Sequence, residues 1–354
     1  MEITSIQSCS DDNKRTIICR GTYNNIPAYF KIFNIGPDVI NRPEEQSLIY
    51  ESHIYRRLNQ PGSDRQHKQF FIPLIGCLDI TIVDLVACGS SNIIMAKLGS
   101  CLFNLHRSNS KSPKHFRCII TKDTGSITLE KMLEQEPISE LELVNVLLMI
   151  VMSIYILNMH FDIQHNDMHF NNILVKKELL PTEYTFTDTE NITHTISSDI
   201  RIYIYDFDQS YMKGEENPIL IESCIRGEGC NTMSYKDYFV FVQSLLMFFF
   251  TKKNNQTQRT TCSYIRNVLY AILDRDILDI LDQRMLLDIF RTKKYFWSSY
   301  CLANRQVHNS IECLDTIEQD KQAAYLPDIL PKLIRYKESL GQARQGWFES
   351  FFRW

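Results

Sequence analysis

No two of the eleven cysteines stand at CxxC spacing and none recurs at a regular interval, so neither a disulfide framework nor a zinc ribbon is built into the chain. The scatter and the odd count fit reduced thiols in a cytoplasmic setting, where the N-x-T sequons at Asn191 and Asn255 carry no meaning. An excess of positive charge is also missing. With 38 basic residues against 42 acidic ones, the net charge of −4 gives no global electrostatic reason to expect nucleic-acid binding. The opening residues MEITSIQSCSDDNKR hold neither a basic segment nor an apolar core, so no secretory signal is expected. No internal repeat is visible.

What is present is the composition of an ordinary globular protein. At 354 residues, 44% hydrophobic and 23% charged, the chain can build a large core divided between two lobes or domains. Val144 to Phe161 contains no charged residue and approaches the length of a membrane span. Asn145 and Asn158 interrupt it, and it leads into the polar stretch QHND. A buried core helix is therefore expected there, and no membrane partner.

Residues 1 to 33 predict three short strands, Ile3 to Ser8, Thr16 to Cys19 and Ala28 to Phe33. Gly21 to Asn25 reads as a turn, in which Asn24 and Asn25 suit unusual backbone angles. Lys31 lies inside the third strand, a setting in which a lysine usually snorkels at an edge. Pro43, Glu44 and Glu45 open a helix that runs to about Leu58, and its spacing puts Leu48, Glu51, Tyr55 and Leu58 on one face. An unpaired buried carboxylate is costly, so Glu51 either pairs with Lys31 or lies solvated at the margin of the apolar stripe.

Phe70 to Leu78 and Phe116 to Ile120 read as strands, Ser108 to His115 as a surface loop, and Asp84 to Asn104 as either helix or strand. The turn-rich connector TKDTGS, starting at Thr121, marks the expected boundary between lobes at 1–122 and 123–354, and a short helix over LEKMLEQEP follows. Ser139 and Glu142 form a capping box for a long helix ending near Met159. Asn172 to Val175 and Arg201 to Tyr205 are expected to pair as strands across a polar, threonine-rich insertion. Tyr235 to Phe250 predicts a very apolar helix carrying one acid, Asp237, and KKNNQTQ breaks it. Amphipathic helices follow over Tyr264 to Phe290, then a helix over Leu326 to Leu340 and the aromatic tail GWFESFFRW.

The densest chemistry lies in QHNDMHFNNILV, Gln164 to Val175, and in IYIYDFD, Ile202 to Asp208. Each presents an acid beside a short apolar strand, which suits a site holding a metal ion and a reacting hydroxyl. The order of Lys31, Glu51, Asp167 with Asn172, and Asp206 resembles the protein-kinase signature of strand lysine, helix glutamate, HRDxxxxN loop and DFG. Here the loop is His165-Asn166-Asp167, with Asn172 five residues after the aspartate, and DFG becomes Asp206-Phe207-Asp208. The resemblance covers most of the chain. Within the superfamily it is similar to the divergent serine/threonine kinases of large DNA viruses, with some haspin-like features such as His169 where many kinases carry lysine.

That resemblance implies an α+β, bilobal protein-kinase-like fold, with a small, mostly antiparallel β N-lobe and a larger helical C-lobe. It implies ATP and Mg²⁺ as cofactors and phosphoryl transfer to Ser/Thr hydroxyls of a protein substrate, in the cytoplasm of a host cell or in a virion. Lys31, oriented by Glu51, would take the α/β-phosphates, with Thr121 and Asp123 also binding nucleotide; Asp206 and Asn172 would hold the metal, and Asp167 would act as base. His165 and Asp237 would support the catalytic loop. Residues 176–198 would form an external hairpin insertion, and His169 would face either the γ-phosphate or solvent.

The chain departs from that pattern in several places. There is no GxGxxG near Ile6 to Thr16, where QSCSDDNK would cover the phosphates; Tyr29 stands where an alanine is usual; and no APE motif lies between Asp206 and Asp237. Asn166 replaces an arginine that often receives a loop phosphate, so activity independent of loop phosphorylation is expected, and Asp208 replaces the glycine of DFG. A small-molecule kinase of the choline or aminoglycoside type and a pseudokinase interaction module remain alternatives, as does a metal site of HxDxH type at His165, Asp167 and His169.

Overall fold

The computed structural model describes residues 3–10, 16–35, 43–60, 65–105, 115–187, 192–215, 217–218, 236–252, 255–272 and 329–341. In chain order they form β1 (Ile3–Ser10), β2 (Ile17–Tyr23), β3 (Ile26–Asn34), α1 (Pro43–Leu58), α2 (Arg65–Lys68), β4 (Leu74–Thr81), α3 (Ile82–Ala87), α4 (Asn92–Leu105) and β5 (His115–Lys122). These are followed by β6 (Ile127–Thr128), α5 (Leu129–Gln135), α6 (Glu140–His160), β7 (Ile163–Gln164), a 3₁₀ turn at Phe170–Asn172, β8 (Ile173–Thr187) and β9 (Thr193–Ile204). The series closes with β10 (Tyr211–Met212), α7 (Lys236–Thr251), α8 (Gln256–Ile272) and α9 (329–341). The class is mixed α+β, with antiparallel strand pairing.

The chain divides into two compact units, one of Met1–Ser126 with Tyr205–Ser223 and the other of Ile127–Ile204 with Cys224–Trp354. The expected lobes divide at 122/123, whereas the first unit also takes in Tyr205–Ser223. Within that stretch the backbone N–H groups of Asp206, Phe207 and Met212 are accepted by side chains of α1.

In the first unit, five strands form an antiparallel sheet in the order β1-β2-β3-β5-β4. Strand β2 buries Ile17, Cys19, Gly21 and Tyr23 while Ile18 and Arg20 point outward, the alternation of a half-buried strand. It extends beyond the expected end at Cys19, because the reversal takes only Asn24 and Asn25, both left-handed at φ 48° and 64°. Asparagine tolerates that region better than other side chains, and a two-residue turn of this hand matches strand twist. Gly21 permits close approach of β1, since a Cβ there would sit 2.0 Å from the Ser5 carbonyl oxygen.

One face of this sheet buries Ile6, Cys19, Phe30, Ile32, Phe116 and Ile120 against Leu85, Leu98 and Leu102. The last three belong to α3 and α4, so the segment Asp84 to Asn104, open between helix and strand in sequence, is helical and roofs the sheet. Thr81 caps α3 by accepting the Asp84 N–H at 3.3 Å, which ends β4 and starts the helix within one residue. Strand β4 begins at Leu74, later than the expected Phe70; Phe70 and Phe71 are buried but precede the ladder.

The second unit is built on α6. Its capping box is complete: Glu142 Oε2 accepts the Ser139 N–H at 2.7 Å and Ser139 Oγ accepts the Glu142 N–H at 3.2 Å. The helix is long and apolar enough to cross a membrane, and 78% of its most apolar window is buried inside the protein. A helix apolar on all sides requires such enclosure.

Part of the enclosure is the β8–β9 hairpin, whose register runs from Ile173↔Ile204 to Thr187↔Thr193 with one shift between Lys177 and Thr182. The insertion expected as external is only half so. Tyr184, Ile196 and Ile200 are buried, and Asn145 on α6 donates through Nδ2 to the Ser197 carbonyl at 3.4 Å. Helix α8 begins at Gln256, well before the expected Tyr264, because Asn255 Oδ1 accepts the Gln258 N–H at 2.8 Å and caps it. Outside the described residues lie the expected helix beyond Ile272, most of the 209–233 loop, the acidic part of QSCSDDNK and the aromatic tail.

Candidate functional site

In the first unit, β3 carries Lys31 on the sheet face opposite the α3–α4 roof, and α1 carries Glu51, which is fully buried. The ammonium of Lys31 lies 2.7 Å from Glu51 Oε2 and 2.5 Å from Asp206 Oδ1. Of the two readings of Glu51, the structure therefore realises the pair with Lys31. Burial works to lower the pKa of Lys31, but Glu51, Asp206 and then Asp208 outweigh it and hold the group well above its ordinary value. Burial pushes Glu51 up to about 8, with Lys31 opposing and Asp206 and Asp208 reinforcing. One ammonium among these carboxylates leaves surplus negative charge, an environment that favours a further cation.

Asp206 follows β9 directly and has φ 66°, the left-handed region that aspartate enters more readily than most side chains. Its N–H is accepted by the Tyr55 hydroxyl at 3.2 Å, and that of Phe207 by Glu51 Oε1 at 3.3 Å. Glu51 thus serves two partners, one oxygen for Lys31 and one for the backbone beside Asp206. The Phe207 ring, fully buried, meets Tyr55 edge-on with centroids 5.2 Å apart. Reading from sequence put Tyr55 on the Glu51 face without giving it a role; its spacing four residues from Glu51 was the available signal. Thr121 pairs with Tyr29 and with Leu74 across the sheet. Both carboxylate oxygens of Asp123 are engaged, Oδ2 by Arg20 at 2.6 Å and Oδ1 by the Gly125 N–H at 2.8 Å.

In the second unit, α6 ends at His160 with Phe161 as its C-cap, and Asp162, left-handed at φ 55°, turns the chain into β7. The loop that follows alternates inward and outward. His165, Met168 and Phe170 are buried, while Asp167 and His169 keep over a third of their side chains exposed. Phe170 anchors the loop against Phe241 and Phe248 of α7, at centroid distances of 6.4 and 6.3 Å. Asp237, on the first turn of α7 and almost fully buried, accepts the His165 N–H at 2.8 Å and the Asn166 N–H at 2.5 Å through its two oxygens. Those bonds hold Asn166 at φ 65° and so aim the next residue, Asp167.

The Asp167 carboxylate accepts from Asn172 Nδ2 at 3.0 Å and lies 3.3 Å from His169 Nε2. His169 Nδ1 accepts the Asn171 N–H at 3.2 Å and caps the 3₁₀ turn, which places the ring proton on Nε2, facing Asp167. Burial works to raise the pKa of Asp167, but His169, His165 and Asn172 together hold it below its ordinary value, so the group is ionised at neutral pH. His169, open between phosphate and solvent in sequence, contacts Asp167 itself. His165 Nδ1 accepts the Asp167 N–H at 3.3 Å and His169 Nδ1 caps its turn, and the three residues of the HxDxH reading are not gathered into a group able to hold a metal.

No cluster of three or more His, Cys, Asp and Glu side chains able to hold a metal occurs among the described residues. Mg²⁺ commonly binds through one or two carboxylates plus substrate phosphates and needs no such cage. Within the first unit, Asp206 is such a carboxylate, one-third exposed amid surplus negative charge.

No family model matches the chain, and no curated protein matches it. Among solved structures, one of WaaP in complex with acyl carrier protein is similar over 81% of this chain and 87% of that chain, at 11% identity and a TM-score of 0.35. That likeness is too distant to carry a fold or an activity.

Proposed function

We propose that the protein is an ATP- and Mg²⁺-dependent phosphotransferase of the protein-kinase-like superfamily that acts on Ser/Thr hydroxyls of proteins. The observation that carries this reading is the Lys31–Glu51–Asp206 triad, in which a buried glutamate fixes a permanently charged lysine beside an acid suited to a metal. It is supported by the second cluster, where Asp167 is ionised, braced by Asn172 and His169, and carried on a loop that Asp237 fastens.

Phosphoryl transfer asks a protein mainly for charge neutralisation and for alignment of the attacking hydroxyl. Lys31 would bind phosphate oxygens, held in its rotamer by Glu51. Asp206 would hold Mg²⁺, which supplies charge neutralisation on the phosphates when bound. Asp167 would accept a hydrogen bond from the acceptor hydroxyl and orient it; its lowered pKa makes it an ionised acceptor at neutral pH. His169 and Asn172 limit the rotation of that carboxylate.

The test is incubation with labelled ATP and Mg²⁺, with a generic protein and with small aminoalcohols, beside Lys31→Ala and Asp167→Ala. Label on protein that falls by about 10²–10⁴-fold in both variants is the expected result. Transfer only to aminoalcohols would replace the protein acceptor with a small molecule, and failure to bind ATP would leave a pseudokinase module.

A further inference from the structure

Beyond Glu51, α1 presents two tyrosines to the segment that follows Asp206. Tyr55 Oη accepts the Asp206 N–H at 3.2 Å, and Tyr50 Oη accepts the Met212 N–H at 2.5 Å. Both side chains are buried, and the Tyr50 hydroxyl donates a hydrogen bond to the Glu215 carbonyl at 3.3 Å. Together with Glu51 on the Phe207 N–H, one helix face receives three backbone donors from seven consecutive residues, 206–212. This stretch needs holding, since its first residue occupies a left-handed conformation that an aspartate adopts only at a cost.

Within α1, positions 50, 51 and 55 lie on one side, so a single rigid element sets all three acceptors. Burial holds both phenols protonated, well above the ordinary tyrosine value, so each remains a neutral acceptor with a proton to give elsewhere. Neither hydroxyl contributes to packing in the way its ring does. A phenylalanine would fill the same volume and leave the N–H of Asp206 or Met212 without its acceptor.

We propose that Tyr55 and Tyr50 are positioning residues whose hydroxyls fasten residues 206–212 to α1, and so fix the Asp206 carboxylate beside Lys31 without covalent modification of the segment. The proposal rests on the phosphotransferase reading for its functional consequence, though the clamp itself is a property of the fold. It supplies a physical basis for activity without loop phosphorylation: the restraint a phosphate could impose is already made by hydroxyls of α1.

Tyr55→Phe and Tyr50→Phe test it, beside wild type and Asp206→Asn, with two readouts. Amide hydrogen exchange of the 205–213 peptide should speed up by about tenfold in each variant, with the α6 core peptides unchanged. The Mg²⁺ concentration for half-maximal transfer should rise by about tenfold in Tyr55→Phe, with a smaller fall in kcat at saturating metal. If Asp206→Asn loses activity while both tyrosine variants keep wild-type exchange and metal dependence, the clamp is overturned. If wild type transfers no phosphate at all, the phosphotransferase reading falls, and exchange alone decides the clamp. Should Tyr55→Phe misfold, Tyr50→Phe carries the exchange test by itself, through the Met212 amide.

Discussion

Asp237→Ala removes the acid whose two oxygens receive the N–H groups of His165 and Asn166, at 2.8 and 2.5 Å, in a site almost closed to solvent. Hydrogen bonds to a charged acceptor contribute about 1.5–3 kcal/mol each, so the pair is worth about 3–6 kcal/mol to the closed form of this loop. Water cannot readily replace the carboxylate where both donors are buried. Local opening should therefore become about 10²–10⁴-fold more frequent, read as faster hydrogen exchange at the His165 and Asn166 amides. Asp237→Asn keeps one acceptor oxygen and turns an NH₂ toward the other donor, so it should lose about half of that free energy. Activity should fall further than global stability, because Asn166 sits at φ 65° and any relaxation there rotates Asp167. Exchange at both amides within about threefold of wild type in Asp237→Ala would refute the reasoning, since it would mean the two bonds do not hold the loop.

Three further outcomes follow from the packing. Tyr184→Ala, in the hairpin, should cost about 3–5 kcal/mol in urea denaturation, as for truncation of any buried aromatic; a cost below about 1 kcal/mol would mean the hairpin is external after all. Gly21→Ala should destabilise the β1–β2 pairing, because its Cβ meets the Ser5 carbonyl at 2.0 Å, and exchange at the β1 amides would show it before global unfolding does. The Asp79–Arg117 pair, at 2.7 and 2.9 Å across β4 and β5, lowers the pKa of Asp79 through the Arg117 hydrogen bond. A depressed acid stabilises above its unfolded pKa and loses that contribution as pH falls through the folded value. Arg117→Gln should flatten acid denaturation only at the low end of the carboxylate range, by less than about 1 kcal/mol, since Asp79 is half exposed.

What could be read in the sequence, and what could not, divides along a physical line. Lys31 and Glu51 were legible because a charge on an apolar strand or helix demands a partner of opposite sign, and the structure supplies it; the role of Asp237 came from the family resemblance, and its partners are backbone N–H groups. The capping box at Ser139 was legible because each side chain accepts the backbone N–H of a residue three positions away, so the Ser and Glu letters at that spacing carry the motif. Segment 84–104 was not. Its apolar residues satisfy more than one period, and the sheet face that selects helix over strand is made by residues such as Ile6 and Phe30, far away in the chain.

Tyr50 and Tyr55 were illegible in a different way. A tyrosine on the buried face of a helix reads as core, which is true of its ring. The hydroxyls are satisfied by backbone N–H groups 162 and 151 residues away. Every residue but proline offers such a donor, so the partner leaves no mark on residue identity. His169 belongs to the same class on one side only, its Nδ1 meeting a backbone donor while Nε2 meets Asp167. Side-chain pairing can therefore be inferred from which residues are present. Pairing with a backbone donor remote in the chain emerges only from how the chain is folded, and Tyr55 on the Asp206 N–H and Asp237 on the loop before Asp167 are of that kind.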